Sequence, residues 1–409
     1  MGYRILAFNS PLPGHVMPTV ALVAELARRG HEVTYVTTDH FAPQLTAAGA
    51  QVLRYASDWP TSIEMSESAE TAANGVLSLL TESAAGAAAA RQRFADDRPD
   101  LILYDSSALF AGRVLSRSWQ RPAVELSPTF ASNEHFSLAA EVERLTAGVK
   151  TDAEQPPPEG ELPPALAEFF TALVGFLVEY GLDPASGEEL FQTPEALTIA
   201  FFPREFQVAG DTFDPGRYVF TGPCLGDRSA QGEWRPAGGR PVLLVSLGSM
   251  NYDQQRSLLE TCVAAFAEIP WQVVLATGTE LDPADLGSLP PHIEARRQVP
   301  QLAILRHAQV FVSHAGMGGT MEALSLGVPV VAIPQMTEQK IIARRLADLG
   351  LGQVAEAGIG AAELRSLTLE VAGDEKIASG VRQMRDRIRQ AGGTARAADE
   401  IEACLRRHG

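Results

Sequence analysis

The chain is short of the residues that mark several protein classes. Its 409 residues include only three cysteines, Cys224, Cys262 and Cys404, spaced too widely for a disulfide framework or a metal-ligand pattern, which suits a reducing compartment. Long apolar runs are missing too. No stretch approaches the roughly 20 residues of a membrane span, and the opening MGYRILAFNSPLPGH enters a strand-like run too short and too early for a signal peptide. Positive charge is also scarce: 33 Lys and Arg face 50 Asp and Glu, a formal net charge of −17, which argues against a nucleic-acid or anionic-membrane partner. These absences lead us to expect a soluble, cytoplasmic protein. Any polyanionic ligand must then be held by backbone amides and local dipoles, because no net attraction draws it in.

What is present is an alternation of short apolar runs with helix-patterned segments. YRILAFN, HEVTYVTT, QVLRYA, DLILYD and PAVELSP form one series, and PVLLVSLGS, WQVVLATG, IEARRQV, VFVSHAG and VPVVAIP form a second. Strands spaced by helices indicate βαβ units and parallel sheets, and a chain of this length exceeds what one core usually supports. The expected fold class is α/β with two similar halves. The expected organisation is a first domain over 1–225, a Gly/Pro-rich exposed linker over 226–239, a second domain over 240–385 and a C-terminal helix over 386–409 that is free to cross back. Stretches 57–98 and 133–195 exceed a plain crossover and carry helical patterns, which suit either a ligand pocket or simple packing.

The chemistry concentrates in VSHAGMGGTMEA. Glycines after a strand end allow backbone N–H groups to approach an anion, and the helix that follows offers unpaired amides and about half a positive charge. Glycine in a tight turn serves packing equally well. Both flanks, however, place polar groups at strand ends, where open α/β sheets bind ligands.

The span VPQLAILRHAQVFVSHAGMGGTMEALSLGVPVVAIPQMTEQ resembles the donor-binding signature of the family 1 glycosyltransferases, above all the bacterial enzymes that act on macrolides and related natural products. The likeness extends over nearly the whole chain. It implies the GT-B fold, two facing Rossmann-like domains with a cleft between them. It also implies that His314, Gly316 and the turn Gly318, Gly319, Thr320 bind the diphosphate, with Ser249 adding a hydroxyl, and that Glu322 binds the ribose. Gln298, Val299 and Gln301 would face the base, and Glu338 and Gln339 the sugar hydroxyls. Two departures bear on donor identity. Gln298 stands where many relatives stack a tryptophan on uracil, and Glu338 stands where they commonly have aspartate, so UDP-glucose and a dTDP-sugar both remain open.

A second constellation lies at NSPLPGHVMPTV and DLILYDSS. Taken alone, His15 near a helix start fits a cap or a surface position, and Asp105 fits a helix cap. The resemblance implies that His15 takes the proton from the acceptor hydroxyl and that Asp105 is its partner. A neutral imidazole near pH 7 suits that task, and a carboxylate beside it raises its basicity and fixes its tautomer. No Asp-x-Asp motif occurs, so no metal is expected, nor any cofactor beyond the nucleotide sugar as co-substrate. The other expected partner is a bulky hydrophobic aglycone, met by Trp59, Phe130 and Phe136, with Phe169 and Phe170 also in the insertions; the assembly is expected to be a monomer or homodimer. A sugar-nucleotide epimerase or hydrolase and a non-catalytic relative stay open. A nicotinamide dehydrogenase is disfavoured, because SPLPGH stands where a G-x-G-x-x-G turn would be needed.

Overall fold

A computed structural model of the chain describes residues 2–57, 59, 69–146, 164–187, 190, 193–226, 232–248 and 255–408. Seven strands make a first parallel sheet: β1 Arg4–Phe8, β2 Glu32–Thr37, β3 Gln51–Arg54, β4 Leu101–Asp105, β5 Ala123–Ser127, β6 Thr198–Ala200 and β7 Tyr218–Phe220, in the order β3-β2-β1-β4-β5-β6-β7. Six more make a second: β8 Val242–Ser246, β9 Gln272–Ala276, β10 Ile293–Arg296, β11 Ala308–Ser313, β12 Val330–Ala332 and β13 Gly352–Val354, in the order β10-β9-β8-β11-β12-β13. Strands such as β4 and β8 read as unbroken apolar runs because helices cover both faces of a parallel sheet, and their side chains are buried.

The strand orders decide where ligands can sit. In the first sheet the order reverses between β1 and β4, and in the second between β8 and β11. The crossovers then leave on opposite faces, and a crevice opens beyond the carboxyl ends of these two strands. Register pairs Phe8 with Tyr104 in one sheet and Ser246 with Ser313 in the other. The residues that follow those pairs therefore meet at the mouth of each crevice.

The halves are joined by more than the connection between β7 and β8. A buried core runs from the second sheet into Phe202, Phe206, Phe213 and Phe220 of the first half. The Arg345 guanidinium, on helix Thr337–Asp348, donates to three backbone carbonyls of the first half, those of Glu205, Phe206 and Gln207, at 2.7, 3.0 and 3.1 Å. The expected exposed linker is anchored: Trp234 is buried and its ring lies 6.0 Å from that of His307. Residues 227–231 of that linker lie outside the described residues.

The expected start of the C-terminal helix at 386 falls inside helix Glu375–Gln390, which packs against helix Met317–Leu326 of the second half. The chain turns at Gly392 and Gly393, both at positive φ, where a residue with a Cβ would be strained. Helix Gly393–His408 then packs on helix Pro13–Arg28, burying Ala397, Ala398, Ile401, Cys404 and Leu405 in the first half's core. All three cysteines are free and buried, and no helix among the described residues is long and apolar enough to cross a membrane.

Candidate active site

The crevice of the first sheet holds a histidine and an aspartate. Pro13, with its fixed φ and missing N–H, opens helix Pro13–Arg28 where neither is a penalty, and this places His15 in the first turn beyond β1. Its Nδ1 lies 2.7 Å from Oδ1 of Asp105, the last residue of β4. Asp105 is fully buried, and the same Oδ1 accepts from the backbone N–H of Ser107 at 2.8 Å and from its hydroxyl at 2.6 Å. This is an Asx turn, so Asp105 caps the following helical turn and faces the imidazole at once. A carboxylate oxygen can only accept, so His15 carries its proton on Nδ1 and presents Nε2 as the basic nitrogen. Asn9 steadies the helix start by donating from its amide to the His15 carbonyl at 2.8 Å.

Burial lowers the proton affinity of His15, but Asp105 beside it and Glu338 from the other half raise it by more, so its pKa lies above the ordinary value. Glu338 sits in the first turn of helix Thr337–Asp348, and its carboxylate accepts from the Thr129 hydroxyl of the first half at 2.7 Å. Gln339 is buried, and its amide oxygen accepts from the backbone N–H groups of Gln335 and Met336 at 2.8 and 3.2 Å, closing the turn that aims Glu338.

The crevice of the second sheet holds the glycine turn. Helix Met317–Leu326 starts at Gly316 with no side chain capping its first amides, and it touches helix Pro13–Arg28. His314 fits because its neighbours lack side chains: a Cβ on Gly316 would stand 2.5 Å from its Nε2, and one on Gly248 2.9 Å from its Cε1. Burial pushes the His314 pKa down to about 4, against a smaller opposing contribution from the Ser246 backbone, so the ring is neutral near pH 7. Gly318 and Gly319 lie in the first helical turn, with open space around any Cβ added at Gly318. The Thr320 hydroxyl is buried without a hydrogen-bond partner among the described residues. Glu322, one turn on, is buried and accepts from the Gln301 amide at 2.7 Å. Gln298 is exposed and Val299 half-buried between β10 and helix Gln301–Leu305. Ser249 lies outside the described residues.

The aromatic residues expected at the acceptor are dispersed. Phe130 packs in the core: its ring stacks on Phe206 at 5.9 Å and meets Phe202 and Phe136 edge to face, which leaves it 3% exposed. Phe136 is half-buried against it, and Trp59 is half-buried. Phe169 is packed on Phe110, while Phe170 points outward and is 48% exposed. Sequence reasoning missed Asn9, Ser107 and Thr129. The Asp-Ser-Ser run at 105–107 carried a signal for Ser107, since Asx turns favour such spacing.

The paired imidazole and carboxylate and the uncapped helix start are groups whose chemistry suits proton transfer and anion binding, respectively. Comparison with known proteins bears on which reaction uses them. Residues 228–377 match the family described as UDP-glucoronosyl and UDP-glucosyl transferase. The chain is 36% identical to the NDP-glycosyltransferase YjiC of Bacillus licheniformis, over 99% of this chain and 98% of that one. This chain belongs to the family 1 glycosyltransferases. The enzyme is also 36% identical to demethyllactenocin mycarosyltransferase of Streptomyces fradiae, over 98% of its own length and 86% of that protein. It superposes on the crystal structure of CalG4, the calicheamicin glycosyltransferase, with a TM-score of 0.85 and 39% identity, covering 99% of each chain. The two facing parallel-sheet halves are thus the GT-B fold.

Proposed function

We propose that this glycosyltransferase moves a hexose from a nucleoside-diphosphate sugar, UDP-glucose or a dTDP-sugar, to a hydroxyl of a bulky hydrophobic natural product such as a macrolide or another polyketide, with inversion and without a metal. The observation that carries the reading is the 2.7 Å contact between His15 and Asp105, on a helix that touches the one opened by the glycine turn. The names of the relatives, a mycarosyltransferase and a calicheamicin glycosyltransferase, support the class of acceptor.

In this reading Nε2 of His15 accepts the proton of the acceptor hydroxyl as the oxygen attacks the anomeric carbon. Asp105 holds the tautomer and stabilises the imidazolium that forms. The diphosphate leaves toward the amides of Gly318 and Gly319 and the neutral N–H of His314, with Gly316 clearing room for that ring; the Thr320 hydroxyl, and that of Ser249, add to this charge stabilisation. Glu322 takes the ribose, Gln298, Val299 and Gln301 the base, and Glu338 the sugar hydroxyls while Gln339 positions it. Trp59 and Phe136 border the acceptor. A single displacement inverts the anomeric centre.

A matrix of UDP- and dTDP-sugars against macrolide, polyketide and flavonoid aglycones, read by mass spectrometry, tests the donor and acceptor classes. The anomeric proton coupling of the product by NMR tests the stereochemistry: an α-linked donor must give a β-glycoside. An α-glycoside, or conversion of the donor with no acceptor present, contradicts the reading.

A further inference from the structure

Next to the His15–Asp105 pair, the first half contains a small polar cavity for which the transfer chemistry has no use. It is lined by Asn9 and Ser10 after β1, Tyr55 after β3, and Glu82 and Ser83 on helix Ala69–Arg93, with apolar walls from the sheet, and it has room for about one water-sized group. Asn9 and Ser83 are each more than nine-tenths buried, and the Asn9 Oδ1 and Ser83 Oγ atoms have no hydrogen-bond partner among the described residues. The Asn9 amide cannot be turned round, because its nitrogen donates to the His15 carbonyl. Glu82 is equally buried. Its carboxylate accepts from the Tyr55 hydroxyl at 2.6 Å and forms no ion pair among the described residues.

Among the described residues that line the cavity, only Glu82 carries a charge, and no cationic side chain faces it there. Buried acceptors left without donors are unfavourable, so a site of this kind calls for a ligand that brings donors.

We propose that this cavity is an acceptor subsite that takes a protonated primary amine of the aglycone. This rests on reading the first half as the acceptor side. An ammonium brings three N–H donors, and the Glu82 carboxylate, Asn9 Oδ1 and Ser83 Oγ are three acceptors. A ligand hydroxyl brings one donor and no charge, so even while accepting from the Ser83 hydroxyl it leaves one acceptor unmet, and an acylated amine is both uncharged and too large for the space. The subsite therefore selects among aglycones by a group remote from the hydroxyl that is glycosylated.

The test uses the whole enzyme with tyramine and N-acetyltyramine, which share a phenolic hydroxyl and differ only at the amine. The ratio of their kcat/KM values is measured for wild type, Glu82→Gln and Ser83→Ala, with Tm recorded for each protein. We expect wild type to favour tyramine by about tenfold or more, as charge-assisted pairing of a buried group allows. That ratio should fall to near unity in Glu82→Gln and partway in Ser83→Ala. An equal ratio in all three proteins, with only Tm changed, means that the cavity holds structural water and overturns the proposal. So does transfer to neither compound while a neutral phenol is glycosylated. Failure to glycosylate any phenol or aglycone instead removes the transfer reading on which the proposal stands.

Discussion

The Thr129 hydroxyl donates to the Glu338 carboxylate at 2.7 Å, bridging residues 209 positions apart that belong to opposite halves of the molecule. The same carboxylate raises the proton affinity of His15. Glu338 thus reports on both the cleft and the base. If it holds the sugar, a bound donor takes over the partner that Thr129 now supplies.

Glu338→Ala is therefore expected to raise KM for the nucleotide sugar by about 10- to 100-fold, the loss of one or two charge-assisted hydrogen bonds. The Kd for the free nucleoside diphosphate should stay within about twofold, because that ligand lacks the sugar; this corresponds to under about 0.5 kcal/mol. Steady-state kinetics and titration calorimetry on the same preparation separate the two.

Gly318→Ala should move stability and binding in opposite directions. A Cβ there meets nothing within 4 Å and the position is helical, so the variant should be stabilised by up to about 1 kcal/mol in a thermal melt. The same methyl group fills the space proposed for the diphosphate, so nucleotide affinity should fall by tenfold or more, about 1.4 kcal/mol. Unchanged affinity would move the phosphates elsewhere. Gly316→Ala, whose Cβ would press on His314 at 2.5 Å, should lose both stability and affinity.

The low pKa of His314, about 4, predicts how donor binding responds to pH. The ring remains neutral from about pH 5.5 to 8, and the sugar-esterified diphosphate does not titrate there either. Titration calorimetry with the nucleotide sugar on His15→Ala, which removes the imidazole coupled to Glu338, should give a flat Kd across that range, without the tightening on acidification that a histidine of ordinary pKa at position 314 would produce by becoming cationic. For folding the sign is opposite to that of a paired histidine: below its unfolded value the denatured chain binds a proton that the native ring refuses. This contribution therefore erodes as pH falls from about 6.5 toward 4.

His15 behaves in the other sense. Only the neutral ring accepts a proton, so kcat/KM should rise with pH through a value above the ordinary 6.5. Asp105→Asn removes the neighbouring negative charge, so the rising limb should move to lower pH while the plateau drops by about 10²- to 10⁴-fold through loss of tautomer control. As to stability, protonated His15 gains from Asp105, and that gain is complete below the unfolded pKa and lost as pH rises through the raised native one.

Much of this arrangement could be read from the sequence. The runs YRILAFN, DLILYD, PVLLVSLGS and VFVSHAG contain the four strands that flank the two crevices, because a strand buried on both faces must be apolar throughout. Strands β6, β7 and β13 span three residues each, too few for a period to show. Phe130 and Trp234 look like surface or pocket residues beside their Pro- and Gly-rich neighbours, but Phe136, Phe202 and Phe206 close around Phe130, and the linker brings Trp234 against His307. Thr129 and Asn9 were invisible for a related reason: their roles exist only through partners that folding brings near, and a hydroxyl or amide carries no periodic signal.

The central claim is that His15 removes a proton from the acceptor. An acceptor that is already ionised needs no such help. The decisive measurement is the loss in kcat/KM caused by His15→Ala on two acceptors of similar size, an aliphatic alcohol and a nitrophenol assayed above its own pKa. A loss of about 100-fold or more on the alcohol with little on the nitrophenolate is the predicted result. Equal losses on both would contradict it.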